Sequence, residues 1–110
     1  MIIAARSLKL RQGSNEIAVP VRIFAPQDDD NQWSCAYEID WPEGTRKSAG
    51  HGADSVQALL LALEMIGSEI YTSDYHKSGC LFFEAVGCGY GFPVPTNLRD
   101  LLDGDDAEYL

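Results

Sequence analysis

The chain has 110 residues, which is enough for one domain with its own hydrophobic core. Its 17 acidic residues outnumber the 8 basic ones, and the net charge of −9 argues against nucleic acid or an anionic membrane surface as a partner. No apolar stretch is long enough to cross a bilayer, and the three cysteines form no CxxC pair. The opening segment is broken at Arg6 and lacks the pattern of a signal peptide. These features predict a cytoplasmic protein.

The first half of the chain predicts antiparallel strands joined by short turns. Residues 2–12, 16–26 and 32–41 read as strands, and the second and third alternate apolar and polar side chains. Residues 45–50 can pair back as a short fourth strand. Pro20 has no backbone N–H for a strand ladder, so we expect its strand to be at an edge or bulged there. The acidic segment between the second and third strands is expected to be a connection.

Residues 51–71 predict one long helix. Asp54 is the expected N-cap, with Gln57 at the position of a capping-box partner. At 100° per residue, one wide apolar side is expected to pack on the sheet, with Gly67 where a backbone can approach closely. Its large members are Val56, Leu59, Leu60, Leu63, Ile66 and Ile70. Beyond a narrow polar stripe lies a second patch, which comprises Ala58, Leu61, Ala62 and Met65.

The remaining chain predicts less regular structure. Residues 80–86 read as a fifth strand, residues 87–93 as a glycine-punctuated loop, and residues 98–102 as a short helix. The acidic residues 103–110 are expected to form a frayed tail. The chain as a whole, residues 1–110, therefore predicts a single α+β domain. Its expected architecture is an antiparallel four- or five-stranded meander with one long helix packed on one face.

Four residues are candidates for ligand binding. His51 lies between two glycines before the helix, where it could bind an anion or act as a general base. Cys88 and Tyr90 belong to the glycine-rich loop, and Trp41 ends an aromatic strand face. Each also has a purely structural interpretation, because no spacing places a catalytic partner beside it. We therefore predict no catalytic residue.

No cofactor or metal is expected. The cysteines and histidines lack the close pairs typical of zinc sites, and the aspartate runs lack the spacing of a calcium loop.

Three groups of residues carry a family resemblance. They are Trp33-Ser34-Cys35-x-Tyr37-x-Ile39, His51-Gly52-x-Asp54-Ser55-x-Gln57-Ala58-Leu59-x-x-Ala62-Leu63 and Gly91-Phe92-Pro93. The pattern resembles a family of small bacterial proteins of unknown function. This resemblance implies a bacterial, single-domain context and supplies no catalytic residues. The order of strands and helix more loosely resembles the layout of some bacterial antitoxins.

The second patch of the helix is the main functional clue, because large apolar side chains are costly to leave in water. We expect a non-catalytic protein-interaction module that forms a homodimer through this patch. The chain's own residues 81–83 are the other candidate cover. An acidic immunity- or antitoxin-like protein that binds a basic toxin is one alternative function. A small ligand-binding protein or enzyme, with a pocket near His51 and residues 87–91, is another.

Overall fold

A computed structural model describes residues 1–110, which form six strands, three α-helices and one 3-10 helix. The strands are β1 (Ile2–Gln12), β2 (Asn15–Phe24), β3 (Gln27–Asp29), β4 (Gln32–Trp41), β5 (Gly44–Gly52) and β6 (Leu81–Phe82). The α-helices are α1 (Ser55–Tyr71), α2 (Asp74–Lys77) and α3 (Gly104–Tyr109), and the 3-10 helix spans Thr96–Leu101. The predicted α+β class is confirmed.

All six strands pair antiparallel in one sheet. β1, β2, β4 and β5 are successive neighbours, as expected of a meander, and β6 returns to the far edge of β1. β3 forms in the predicted acidic connection and pairs with the start of β4, so the sheet has six strands. The ladder between β2 and β4 runs from Ile23 to Val21 and stops beside Pro20, which has no N–H to donate.

One hydrophobic core of 18 buried residues joins the sheet, α1 and the C-terminal part of the chain. The side chains that point into it alternate along β1, β2 and β4, as the period of a strand requires. The buried residues of these strands are Leu8, Leu10, Val19, Val21, Ile23, Cys35, Tyr37 and Ile39.

Helix α1 begins after Asp54 with two side-chain hydrogen bonds. The Gln57 backbone N–H donates to the Asp54 carboxylate at 2.8 Å, and the Ala53 N–H donates to the Gln57 side-chain oxygen at 2.6 Å. Both N–H groups would otherwise lack partners at the helix start. The predicted N-cap is confirmed.

Small residues bring α1 close to β5. Ala58 and Ala62 are fully buried, and a Cβ atom added to Gly50 would lie 2.7 Å from the Ala58 carbonyl oxygen. This approach turns the two alanines toward the sheet and leaves Val56 and Leu60 64% and 53% exposed. The predicted division of the helix surface is therefore corrected. Two residues of the second patch are core, and two residues of the sheet side are at the surface.

The later turns of α1 are covered by residues that follow β6. A Cβ atom on Gly67 would overlap the Pro93 carbonyl group, and the Tyr71 ring packs edge-on against Tyr90. Leu81 and Phe82, which we offered as the cover, instead extend the sheet as β6. The expectation of a frayed tail is also corrected, because residues 104–109 form α3. No helix has the length and apolarity needed to span a bilayer.

Candidate functional site

The structure separates the residues that we predicted to line one pocket. Trp41 pairs with Gly44 at the turn of the β4–β5 hairpin, whereas His51 pairs with Ser34 seven residues further along β5. Seven strand residues span roughly 23 Å. His51 is exposed at the far end of the hairpin. No small ligand could therefore contact Trp41 and His51 together.

Tyr90 and Cys88 lie in the C-terminal part of the chain, in different surroundings. Tyr90 is 4% exposed, and its hydroxyl donates to the Leu81 carbonyl oxygen at 3.2 Å and lies 2.5 Å from His76 Nδ1. Burial, followed by the negative charges of Asp103 and Asp106, raises the pKa of Tyr90. Cys88 is exposed. Tyr90 therefore holds the fold together and faces no solvent-filled site.

Asp106 is the buried acid of the molecule, with 2% exposure. Its carboxylate accepts hydrogen bonds from the Tyr71 hydroxyl and from the backbone N–H groups of Tyr90 at 2.7 Å and Gly91 at 2.8 Å. Burial, together with the bond to Asp106, raises the pKa of Tyr71. A buried charge is tolerated only with such partners, so Asp106 locks α3 and the glycine loop onto α1.

His76 lies beside this network and is close to both a carboxylate and tyrosine rings, which are groups that also occur together in catalytic sites. Its Nε2 atom lies 3.6 Å from the Asp103 carboxylate, and its ring packs edge-on against Tyr71 and Tyr90. None of the four cavities of the molecule is lined by His76 or Tyr90. The arrangement therefore has no space beside it for a reacting substrate, and we assign it to stability.

The largest cleft, of about 480 Å³, lies at the turn of the β4–β5 hairpin, at the opposite end of the hairpin from His51. Trp41 and Tyr75 stack along it, with ring centroids 5.2 Å apart. Glu43, Glu69 and Asp74 also line it, and no basic residue does. The Tyr75 hydroxyl lies 3.0 Å from the Glu43 carboxylate. The cleft thus combines aromatic faces with negative charge, a combination that suits a cationic group.

Glu69 at this cleft is already partnered. It accepts hydrogen bonds from the Arg46 side chain at 2.8 Å and from the Tyr37 hydroxyl. Burial, and then the bond to Glu69, raises the pKa of Tyr37 to about 12. Arg46 therefore compensates the charge of Glu69, and the uncompensated negative charge of the cleft comes from Glu43 and Asp74.

A smaller, more apolar groove of about 190 Å³ lies between the first half of β1 and α1. Its lining residues are Ala4, Ala5, Arg6, Ile23, Leu63, Gly91, Phe92 and Pro93. Leu60 and Val56 lie one and two turns before Leu63 on the same stripe of α1, and both are exposed. The apolar surface therefore continues beyond the groove toward the start of the helix.

The outer face of the sheet carries an ion-pair network. Arg22 donates to the Asp40 carboxylate at 2.6 and 2.9 Å and to Glu38 at 3.1 Å. Hydrogen bonds from Arg22 and then from Thr45 hold the pKa of Asp40 below its usual range. This part of the outer face is occupied by charges and offers little for apolar docking.

The predicted interface patch is smaller than expected. Leu61 is 38% exposed and Met65 is partly buried, whereas Ala58 and Ala62 are inaccessible beneath the helix. The apolar residues that sequence analysis did not single out are those at the start of β1. Met1, Ile2 and Ile3 are 88%, 49% and 46% exposed. Their apolar character was visible in the sequence, but their exposure depends on which elements pack beside them, and local patterns do not show that.

The family described as a domain of unknown function (DUF6968) matches residues 4–94 of the chain. This match confirms the resemblance to a family of unknown function. No curated protein and no solved structure matches the chain.

Proposed function

We propose that this chain, which belongs to the DUF6968 family, is a non-catalytic protein-interaction module that forms a homodimer. One observation carries the proposal. Nine large apolar side chains remain exposed, and six of them belong to the start of β1 or to α1. These six are Met1, Ile2, Ile3, Val56, Leu60 and Leu61. A concentration of such residues is typical of a surface that another protein covers.

The internal packing favours association over catalysis. Histidine, tyrosine and aspartate side chains lie together around Asp106, and their hydrogen bonds stabilise the fold. The remaining apolar surface lies outside that network. Covering this surface would remove large side chains from water, and each side chain that becomes fully buried would stabilise the dimer by about 1.5–3 kcal/mol.

The mass of the protein in solution tests the homodimer. Light scattering over a range of protein concentrations should give twice the chain mass of 12.1 kDa, with dissociation only on dilution. A constant mass of one chain at all concentrations would rule the homodimer out.

A cytoplasmic location is part of this proposal. Cys35, Cys80 and Cys88 are all free thiols, which suits a reducing compartment. Cys88 is exposed, so its thiol would be open to oxidation in an oxidising compartment.

The cleft between Trp41 and Tyr75 favours a second candidate function, the binding of a basic protein. A lysine or arginine side chain of such a partner could stack on the two rings and meet Glu43 and Asp74. An immunity- or antitoxin-like role against a basic toxin would use such a contact. The net charge of −9 would speed the encounter.

A labelled lysine-rich peptide tests this second function through fluorescence anisotropy. Binding should weaken as salt is added, and the double variant Glu43→Gln/Asp74→Asn should lose it. The charge-matched control is Asp105→Asn/Glu108→Gln on α3, where both residues are exposed. Equal losses in the two double variants would mean that the peptide senses only net charge.

A further inference from the structure

The first half of β1 has an open backbone edge. The turn between β1 and β2 has two residues, and Gln12 pairs with Asn15 across it. The even-numbered residues of β1 therefore exchange hydrogen bonds with β2, and the odd-numbered ones face the other way. The hydrogen bond of Arg11 is consistent with this pattern, because its N–H donates to the Cys80 carbonyl oxygen at 2.8 Å on the side away from β2.

β6 pairs with this edge only at its far end. β6 pairs with Lys9 and Leu10 and no further, because the chain then turns away at Glu84, which has a positive φ of 64°. No backbone hydrogen bond joins Ala5 or Ser7 to a neighbour on this side. Two outward-facing N–H groups and two carbonyl groups are therefore available for pairing.

The start of this edge, before Arg6, carries no charged side chain. Natural edge strands are commonly blunted by lysine, proline or inward-pointing charge. Residues 1–5 are instead apolar, and all five are exposed. The opposite edge of the sheet, along β5, carries Lys47 with a side chain that is 73% exposed. The start of β1 is therefore better suited to strand pairing than the part of β5 around Lys47.

We propose that two copies of the chain associate by antiparallel pairing of their β1 strands, with the two Ala5 residues opposite each other. This inference rests on the proposed homodimer and assigns its contact surface. A two-fold pairing is closed and uses the same segment twice, so no other partner is needed.

The Ala5 register keeps like charges from facing each other directly. β1 contains three basic residues, Arg6, Lys9 and Arg11, and no acidic one, so no carboxylates are opposed. Each Arg6 lies opposite Ala4 of the second copy. The Arg6 guanidinium is already directed to its own chain, since it donates to the Tyr90 carbonyl oxygen at 3.0 Å and lies 4.7 Å from the Phe83 ring centroid.

The same residues select the register. A shift of one residue toward the end of β1 would place the two Arg6 residues opposite each other, which like charges disfavour. A shift toward its start would centre the ladder near the bulge between Ile2 and Ala4. The Ala5 register avoids both. It also stops before Lys9, where β6 occupies the edge.

Disulfide cross-linking tests the register directly. In a Cys80→Ser/Cys88→Ser background, Ala5→Cys should form a covalent dimer on mild oxidation, because directly opposed strand residues lie within disulfide reach. Ala49→Cys, on the free edge of β5, is the matched control. We expect at least tenfold more dimer from the Ala5 variant.

Ala5→Pro supplies the second measurement. Its lost N–H points away from β2, so proline here should remove intermolecular hydrogen bonds while the chain stays folded by circular dichroism. We expect the dissociation constant to rise at least tenfold. Leu101→Glu, which changes an exposed apolar residue outside β1 and α1, is the control and should leave the dissociation constant unchanged.

The outcomes separate the two proposals. A native dimer that cross-links at Ala5 and dissociates with Ala5→Pro supports both of them. A native dimer that cross-links equally at Ala49, or that Leu61→Glu dissociates while Ala5→Pro does not, overturns the β1 contact and leaves the homodimer standing. A native monomer overturns both.

Discussion

Gly67 is the residue at which α1 meets the C-terminal segment. We expect Gly67→Ala to destabilise the protein by about 1–3 kcal/mol, because the new methyl group would overlap the Pro93 carbonyl. The intrinsic helix preference of alanine, worth about 1 kcal/mol, opposes this cost. Urea unfolding measures the net change. Ser68→Ala, at the neighbouring position, should change stability by less than about 0.5 kcal/mol. A stabilised Gly67→Ala variant would show that the segment does not press on the helix.

We expect the stability of the protein to be equally sensitive to replacement of Asp106 by an uncharged residue of the same shape. Asp106→Asn would turn an amide group toward N–H or hydroxyl donors that now share the carboxylate. We expect a loss of about 1–3 kcal/mol, the cost of leaving a buried polar group unpaired. Thermal unfolding of Asp106→Asn beside Asp105→Asn measures it, since Asp105 is exposed. Similar melting temperatures for the two variants would contradict the role of Asp106 as a lock.

These two residues show different limits of sequence interpretation. Gly67 could be assigned to a close backbone approach, because a glycine on an apolar helix side has few other uses. Its contact, Pro93, could not be identified from spacing. Asp106 gave no signal, because it lies in an acidic stretch and its partners are 35 and 16 residues away. Burial of a carboxylate depends on long-range contacts that local composition does not reveal.

Helix α1 shows why periodicity located the element but not its packed face. The N-cap at Asp54 and the overall span followed from local residue patterns. The orientation depended on size, because Ala58 and Ala62 let the helix reach Gly50 whereas larger side chains would hold it away. A hydrophobicity wheel gives leucine more weight than alanine. It therefore favours the side with Val56 and Leu60, which the structure leaves exposed.

Helix α3 should behave as part of the core despite its composition. Deleting residues 103–110 would remove Asp106 and expose the Tyr71 hydroxyl together with the backbone of Tyr90. Hydrogen bonds to charged groups contribute about 1.5–3 kcal/mol each, so we expect a loss of about 3 kcal/mol or more. Denaturant unfolding measures it. A chain ending after Asp106 and lacking only residues 107–110 is the matched control. Unchanged stability in the longer deletion would restore the interpretation of this segment as a frayed tail.

At the scale of the whole molecule, the sheet is asymmetric in what its parts expose. Arg22, Glu38 and Asp40 place charges on the outer face, whereas the groove between β1 and α1 keeps apolar residues accessible. The alternation within strands predicted which side chains are buried. It could not predict which edge stays open, because that depends on where the two-residue β6 ends. The interaction surface proposed for this chain therefore follows from the topology.

The tyrosines predict how the whole fold responds to alkaline solution. Burial is the first cause that raises the pKa of Tyr37, Tyr71, Tyr75 and Tyr90 above the ordinary value of 10.0. Above about pH 10 the unfolded chain therefore releases tyrosine protons that the folded chain retains, so the free energy of unfolding must fall as pH rises. Urea midpoints measured from pH 8 to pH 11 should stay level at first and then decline.

Tyr71 links this response to the buried network, because its hydroxyl is bonded to Asp106. Tyr71→Phe removes one of the retained protons and should make the decline above pH 10 shallower, even though the variant is less stable at neutral pH. Tyr109→Phe is the matched control, since its side chain is 75% exposed and it should leave the slope as it is. Equal slopes in the native chain and Tyr71→Phe would mean that Tyr71 ionises as readily folded as unfolded. Such a result would contradict the dry, carboxylate-bound environment that joins α1 to α3.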